Sequence, residues 1–171
     1  MENVICMLQE NNPADERHSW HVYFMEIAEL AASRSTCLRR KVGAVATDSR
    51  HRIIGTGYNG APSGMVHCTK HTCVRIKNKI PSGQQLELCK AIHAEQNLVV
   101  HLGERLKDAT IYCTTRPCTT CTKLLIGCGV THIVWLNNYD DEYATSLIKE
   151  LGWNITQDEN GFYHATAVDS N

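Results

Sequence analysis

Three residues of metal-ligand type stand in a pattern that could do chemistry: His93 in His-Ala-Glu, and Cys118 and Cys121 in Pro-Cys-Thr-Thr-Cys. A spacing of i, i+3 puts both sulfurs on one face of a helix. A helix N-terminus favours thiolate, the form that binds metal. Two thiolates and one imidazole leave a tetrahedral zinc ion one open position for water, as in catalytic rather than structural sites. Glu95 lies two residues from His93 and reaches the water rather than the metal, so it is the natural proton carrier. A bare Cys-x-x-Cys is more often a structural zinc pair or a redox motif, and His-x-Glu alone means little. The two together, separated by about 21 residues, are far more specific.

The chain around these residues has 171 positions, enough for one domain with a sizeable core, and 43% of them are hydrophobic. Seventeen basic and eighteen acidic residues give a formal charge of −1, which leaves no basic excess for binding polynucleotide. Nine cysteines are an odd number, so a complete set of internal disulfides is excluded. No secretory leader and no apolar run near the roughly 20 residues of a membrane span is read. A cytoplasmic protein with free or metal-bound thiols is expected, and the sequon at Asn154 is attributed to chance.

The elements that must position the motif follow from periodicity. Residues 1–15 read as a flexible arm, and 16–171 as a single domain. Ser19 caps a helix whose apolar face runs through Trp20, Tyr23, Phe24, Ile27, Leu30 and Ala31. Val42–Ala46 and Ile53–Tyr58 read as a hairpin turning at Asp48–Arg50. Residues 59–92 show no period, and a loop that long needs a clip. Beyond it come a helix ending at Gly103, a strand at Thr110–Cys113, and a helix with Pro117 as its first residue. A strand at His132–Leu136 and a helix closed by Gly152 complete the pattern. This order predicts an α/β layered domain: an antiparallel hairpin, then crossover units.

His-Ala-Glu followed by Pro-Cys-x-x-Cys is the signature of zinc nucleobase deaminases. With Ser35–Val45 (STCLRRKVGAV), Gly57–Gly64 (GYNGAPSG) and His93–Asn97 (HAEQN), the chain resembles the deoxycytidylate (dCMP) deaminases, their bacterial and phage branch above all. The resemblance runs from about Trp20 to Leu151. It implies a three-layer α-β-α cytidine-deaminase fold with a central five-stranded mixed sheet. It also implies hydrolysis of dCMP to dUMP and ammonia, activation by dCTP, inhibition by dTTP with Mg²⁺, and a homo-oligomer, with a hexamer favoured. The expected location is the cytoplasm, that of the host if the protein is phage-encoded. Asn59 is then a candidate for the deoxyribose, and Lys41, Arg39 or Arg40 for the phosphate. Thr114 and Tyr139 are candidates beside the base, and Tyr58, Asn59 and Gly60 for the effector. Without the resemblance, the Gly-Tyr-Asn-Gly segment is an ordinary turn after a strand. Arg116 reads equally as a phosphate contact or a solvated arginine.

Some bacterial and phage members of the family hold a second, structural zinc. The resemblance points to Cys37 and Cys68 as ligands, with Cys73 and Cys89 completing the set or His67 or His71 substituting. Such a clip would tie the first helix to the 59–92 loop, whereas the plainer reading is four buried apolar cysteines. Cys6, Cys113 and Cys128 have no evident partner. Rival readings are a tRNA-adenosine deaminase, for which the balanced charge is unsuited, a cytidine deaminase, and a zinc-stabilised module that senses deoxynucleotides without turnover.

Overall fold

The computed structural model describes residues 17–139 and 141–168, so the expected arm at 1–15 and Cys6 lie outside the described residues. Ser19 caps helix α1 (Trp20–Ser33), its hydroxyl accepting from the Val22 amide. Strands β1 (Gly43–Thr47) and β2 (Ile53–Tyr58) form the expected hairpin. Its turn is held by Asp48, whose Oδ1 accepts from the amides of Arg50 and Arg52. The long segment that follows carries only a short helix, α2 (Val74–Lys77), and a 3₁₀ turn at Leu86–Leu88. Its base is closed by a two-way backbone pair between Gly60 and Ile92. Then come α3 (Ala94–Leu102), β3 (Thr110–Thr115), α4 (Thr119–Gly127), β4 (His132–Asn137) and α5 (Glu142–Glu150). A closing hairpin pairs β5 (Asn154–Gln157) with β6 (Tyr163–Thr166).

These strands form one mixed sheet in the order β2-β1-β3-β4-β6-β5, with β3 and β4 parallel and every other neighbouring pair antiparallel. The α/β class is as expected, but the described sheet has six strands rather than five. The additional hairpin is short and largely polar. Its turn is set by Asp158, whose Oδ1 accepts from the amides of Asn160 and Phe162. Strand alternation divides the core into two sides. Ala44, Ala46, Ile111, Cys113, Ile133 and Trp135 face α3, α4 and α5 through Leu98, Leu102, Leu125 and Ile148. Val45, Tyr112 and Val134 face α1 through Phe24, Met25 and Ala28. The buried face of α1 is therefore rotated from the expected one: Trp20, Tyr23 and Leu30 are exposed. Small Ala28 and Ala32, rather than the larger side chains, face the sheet and let the helix approach it. A Cβ on Gly43 would stand 1.9 Å from the Ala28 carbonyl oxygen.

At the end of the sheet where β3 and β4 begin, three histidines and an aspartate meet. His132 Nε2 lies 3.2 Å from His164 Nδ1, and His164 Nε2 lies 3.1 Å from an Asp158 carboxylate oxygen. The His21 ring stands 4.8 Å from that of His164, with its Nδ1 3.1 Å from the Tyr112 hydroxyl. Burial, with His164 and His21 beside it, pulls His132 down to about 4. Burial and His164 also lower His21. His132 therefore stays neutral in the folded protein at a pH where the unfolded chain, with histidine near 6.5, already binds protons, and the lowered His21 acts in the same direction. Stability is thus complete above about pH 6.5 and declines as the pH falls toward 4, by on the order of 2 kcal/mol at pH 5. Urea unfolding at pH 7.5 and pH 5 measures this loss. His132→Asn should reduce the difference between the two, and an unchanged difference would remove His132 as its source.

Candidate active site

Both parallel strands end beside one cavity of about 350 Å³, at the end of the sheet opposite the histidine cluster. Two helices begin there. His93 is the N-cap of α3, its amide donating to Gln96 Oε1 at 2.7 Å. Cys118 is the N-cap of α4, in an extended conformation (φ −72°, ψ 168°), and Cys121 follows one turn in. Pro117 accordingly sits one residue before the cap, not at the first helical position, because Cys118 itself makes the turn from strand to helix. The two sulfurs converge on one ring nitrogen: Cys118 Sγ is 3.5 Å and Cys121 Sγ 3.3 Å from His93 Nδ1.

Among the described residues, these three are the one set of His, Cys, Asp or Glu whose ligand atoms all lie within 4.8 Å of one another. A hydrogen bond from Cys121 lowers Cys118 to about 4, against the effect of burial. The same bond, with burial and Glu95, pushes Cys121 up. His93 is raised chiefly by its bond to Cys118. Soft sulfur and imidazole donors at helix N-termini, one already thiolate, suit zinc in both donor type and number. Glu95 points into the same cavity, is only 4% exposed, and is not among these donors. Burial raises its carboxyl to about 7.

The position of α3 depends on a close approach to β2. A Cβ on Gly57 would lie 2.3 Å from the Ala94 carbonyl oxygen, in the first turn that carries His93 and Glu95. Gly57→Ala should therefore cost about 2 kcal/mol or more, since the obstacle is backbone and cannot swing aside. Because the shift falls on that turn, kcat/KM should fall as well. Chemical denaturation and steady-state assays of this variant check both.

The remaining candidates divide. Arg39, Arg40, Asn59, Arg116 and Tyr139 line the cavity with Glu95. Arg40 lies 5.4 Å over the Tyr139 ring. The Asn59 amide is largely engaged in shaping the wall. Its Oδ1 accepts from the Val42 amide and the Ser35 hydroxyl, and its Nδ2 donates to the Arg40 carbonyl, leaving one N–H for a ligand. Thr114 is buried and accepts from the Gly43 amide, so it joins strands, and its neighbour Thr115 lines the cavity instead. Lys41 is exposed and stands outside the lining. Tyr58 and Gly60 face a second cavity, with Thr36, His67, Asn97 and His101. Alternation of side chains about Asn59 thus sends the three adjacent candidates to two cavities. The Thr36 hydroxyl is buried there without a partner.

Cys37, Cys68, Cys73 and Cys89 are neighbours, but they do not approach one another to ligand distance in the way the first set does. Burial raises the Cys68 thiol, and the other three sulfurs add to that shift. His71 is exposed. Two arginines grip the loop that bears these cysteines: Arg39 donates to the Ile80 carbonyl at 2.8 Å, and Arg75 to the Pro81 carbonyl at 3.1 Å. Arg75 also lines the first cavity, a role that sequence reasoning missed. Its only signal was a basic residue in an aperiodic loop. No helix of the described residues is long and apolar enough to cross a membrane.

Comparison with known proteins agrees with this geometry. Residues 18–137 match the cytidine and deoxycytidylate deaminase zinc-binding region. The deoxycytidylate deaminase of Schizosaccharomyces pombe is 39% identical over 149 residues, covering 85% of this chain and 46% of that protein. The chain thus spans about half the length of this yeast relative. The deoxycytidylate deaminase of Mycobacterium phage D29 is 41% identical over 125 residues, covering 70% of this chain and 95% of the phage protein. Among solved structures, the dCMP deaminase of cyanophage S-TIM5 in complex with dCMP and dUMP is 28% identical with a TM-score of 0.63, covering 77% of this chain and 90% of that one. The family model spans most of the chain and the phage relative is covered almost in full, so the chain belongs to the cytidine and deoxycytidylate deaminase family.

Proposed function

We propose that the protein hydrolyses dCMP to dUMP and ammonia, with Glu95 as proton carrier and His93, Cys118 and Cys121 holding a catalytic zinc. The observation that carries this reading is a buried carboxyl, raised to about 7, beside a three-donor metal set in an arginine-lined cavity. The complex of the cyanophage relative with dCMP and dUMP supports the choice of nucleotide. When bound, zinc lowers the pKa of water toward about 7 and so supplies a nucleophile at neutral pH. Glu95 accepts a proton from the attacking water and passes it to N3 of the pyrimidine as oxygen adds to C4. It then takes the remaining proton from the new C4 hydroxyl and delivers it to the amino group, so that the C4–N bond breaks, the C4 carbonyl forms and ammonia leaves. A carboxyl poised near neutrality serves both directions of transfer. Arg39, Arg40 and Tyr139 border the space in which the nucleotide lies.

Regulation by dCTP and by dTTP with Mg²⁺ is part of the same proposal. The second cavity, bordered by Tyr58, Gly60 and the unpartnered Thr36 hydroxyl, is the place for the effector. We also propose a second zinc held by Cys37, Cys68, Cys73 and Cys89, a hexameric assembly and a cytoplasmic setting in which thiols remain reduced. Metal analysis decides the second zinc: two atoms per chain support it and one overturns it. Ammonia release decides the activity. Turnover of dCMP, with cytidine and tRNA far behind, is the expected result. Equal or better turnover of cytidine or tRNA would discard the nucleotide reading.

A further inference from the structure

Four arginines line the first cavity, and they are not equivalent. Arg39 and Arg40 are exposed at its rim. Arg116 lies 5.7 Å over the Trp135 ring and donates to the Thr145 hydroxyl. Arg75 is 8% exposed, and its guanidinium makes one hydrogen bond among the described residues, to the Pro81 carbonyl. Its Nε is buried with no partner, and among the described residues no carboxylate stands within ion-pair distance of it. A guanidinium cannot shed its charge at neutral pH, and burying it unpaired is costly. Among the described residues Glu95 is the one carboxyl of the lining and Cys118 its one low-pKa thiol, and proton transfer and the metal occupy them. The cavity therefore holds a fixed, buried positive charge that no carboxylate among the described residues pairs.

The planar fork of arginine matches the oxygens of phosphate, and it does so in a direction set by the backbone bond that anchors it. The exposed rim arginines are screened by solvent and cannot discriminate so sharply. We propose that Arg75 is the residue that recognises the 5′-phosphate of the substrate and so makes the enzyme select a nucleotide over a nucleoside. The inference rests on the dCMP reading above. It assigns the phosphate contact to the 59–92 loop rather than to the 39–41 segment. That loop thereby becomes part of the substrate site and not only a tether, because Arg75 links the Pro81 carbonyl to the anion.

The test compares Arg75→Gln and Arg75→Lys with the wild-type protein, using dCMP and deoxycytidine as substrates. Arg75→Gln should lower the ratio of kcat/KM for dCMP to that for deoxycytidine by roughly 100-fold, the scale of truncating one partner of a buried charge pair. Arg75→Lys, which keeps the charge but loses the fork, should recover part of that ratio. A merely structural arginine would depress both substrates together, with lower zinc content and melting temperature, and leave the ratio in place. A ratio within twofold of wild type in Arg75→Gln overturns the proposal. Should that variant fail to fold, the Lys variant is read in its place, and a wild-type ratio there overturns the proposal equally. Binding of inorganic phosphate, followed by tryptophan fluorescence, keeps the inference separable from the dCMP reading. If wild type fails to deaminate dCMP, the activity reading falls, while loss of phosphate binding in Arg75→Gln still supports the anion site. Equal phosphate binding by both proteins removes it.

Discussion

Glu95→Gln is expected to keep its zinc and lose its turnover, with kcat on dCMP reduced by roughly 1,000-fold or more. The two outcomes separate because Glu95 shares the cavity with the metal donors without being one of them. Gln has nearly the same volume, so a side chain only 4% exposed is replaced without opening a void. What it removes is the ability to accept a proton and give it back. Burial places the native carboxyl at about 7, where it does both, whereas an amide does neither. Ammonia release and metal analysis on the same purified sample measure the pair. A variant with zinc and more than a tenth of wild-type kcat would mean that another group carries the proton.

Cys121→Ser is expected to lose metal and activity together. Cys121 is fully buried one turn into α4, with its sulfur 3.3 Å from the imidazole nitrogen that the Cys118 sulfur also approaches. A serine hydroxyl is shorter, harder and reluctant to ionise, so a soft cation loses one of three protein ligands. Affinity for zinc should fall by more than the 100-fold typical of disturbing an outer-shell partner. Competition with a chromophoric chelator gives the affinity directly. Added zinc should restore activity only at concentrations far above those that saturate the native protein. Retention of zinc at native affinity would show that the cation is held elsewhere. The contrast with Glu95→Gln is the useful part, since one variant separates metal from chemistry and the other removes both.

How much of this was legible beforehand depended on where the information is local. The helices that present His93, Cys118 and Cys121 could be read because each ligand stands at a junction marked by Pro, Gly or an abrupt change of period. The strands Gly43–Thr47, Thr110–Thr115 and His132–Asn137 are largely buried and apolar, and they register as such. The C-terminal hairpin did not register, because four-residue strands such as Asn154–Gln157 carry one partly buried apolar residue and otherwise face solvent. Its turn, Asp158–Gly161, was the available signal. The misplaced face of α1 has a different cause: Trp20 and Leu30 are large and apolar, yet close approach to β1 selects the alanine side. Arg75 was beyond reach of any periodic argument. Its burial comes from the path of an irregular loop over the cavity, and no spacing in the sequence encodes that path.

The strand order carries a consequence for how the chain is made. β6 follows β5 in the chain, but it sits between β4 and β5 rather than at the rim. Until Tyr163–Thr166 have left the ribosome, β4 presents an open edge bearing Ile133, Val134 and Trp135, the sort of surface that recruits other strands. The metal donors and Glu95 are all translated well before that edge is covered. A nascent chain can therefore carry His93, Glu95, Cys118 and Cys121 on a half-finished sheet, whose open β4 edge closes only when the β5–β6 hairpin forms.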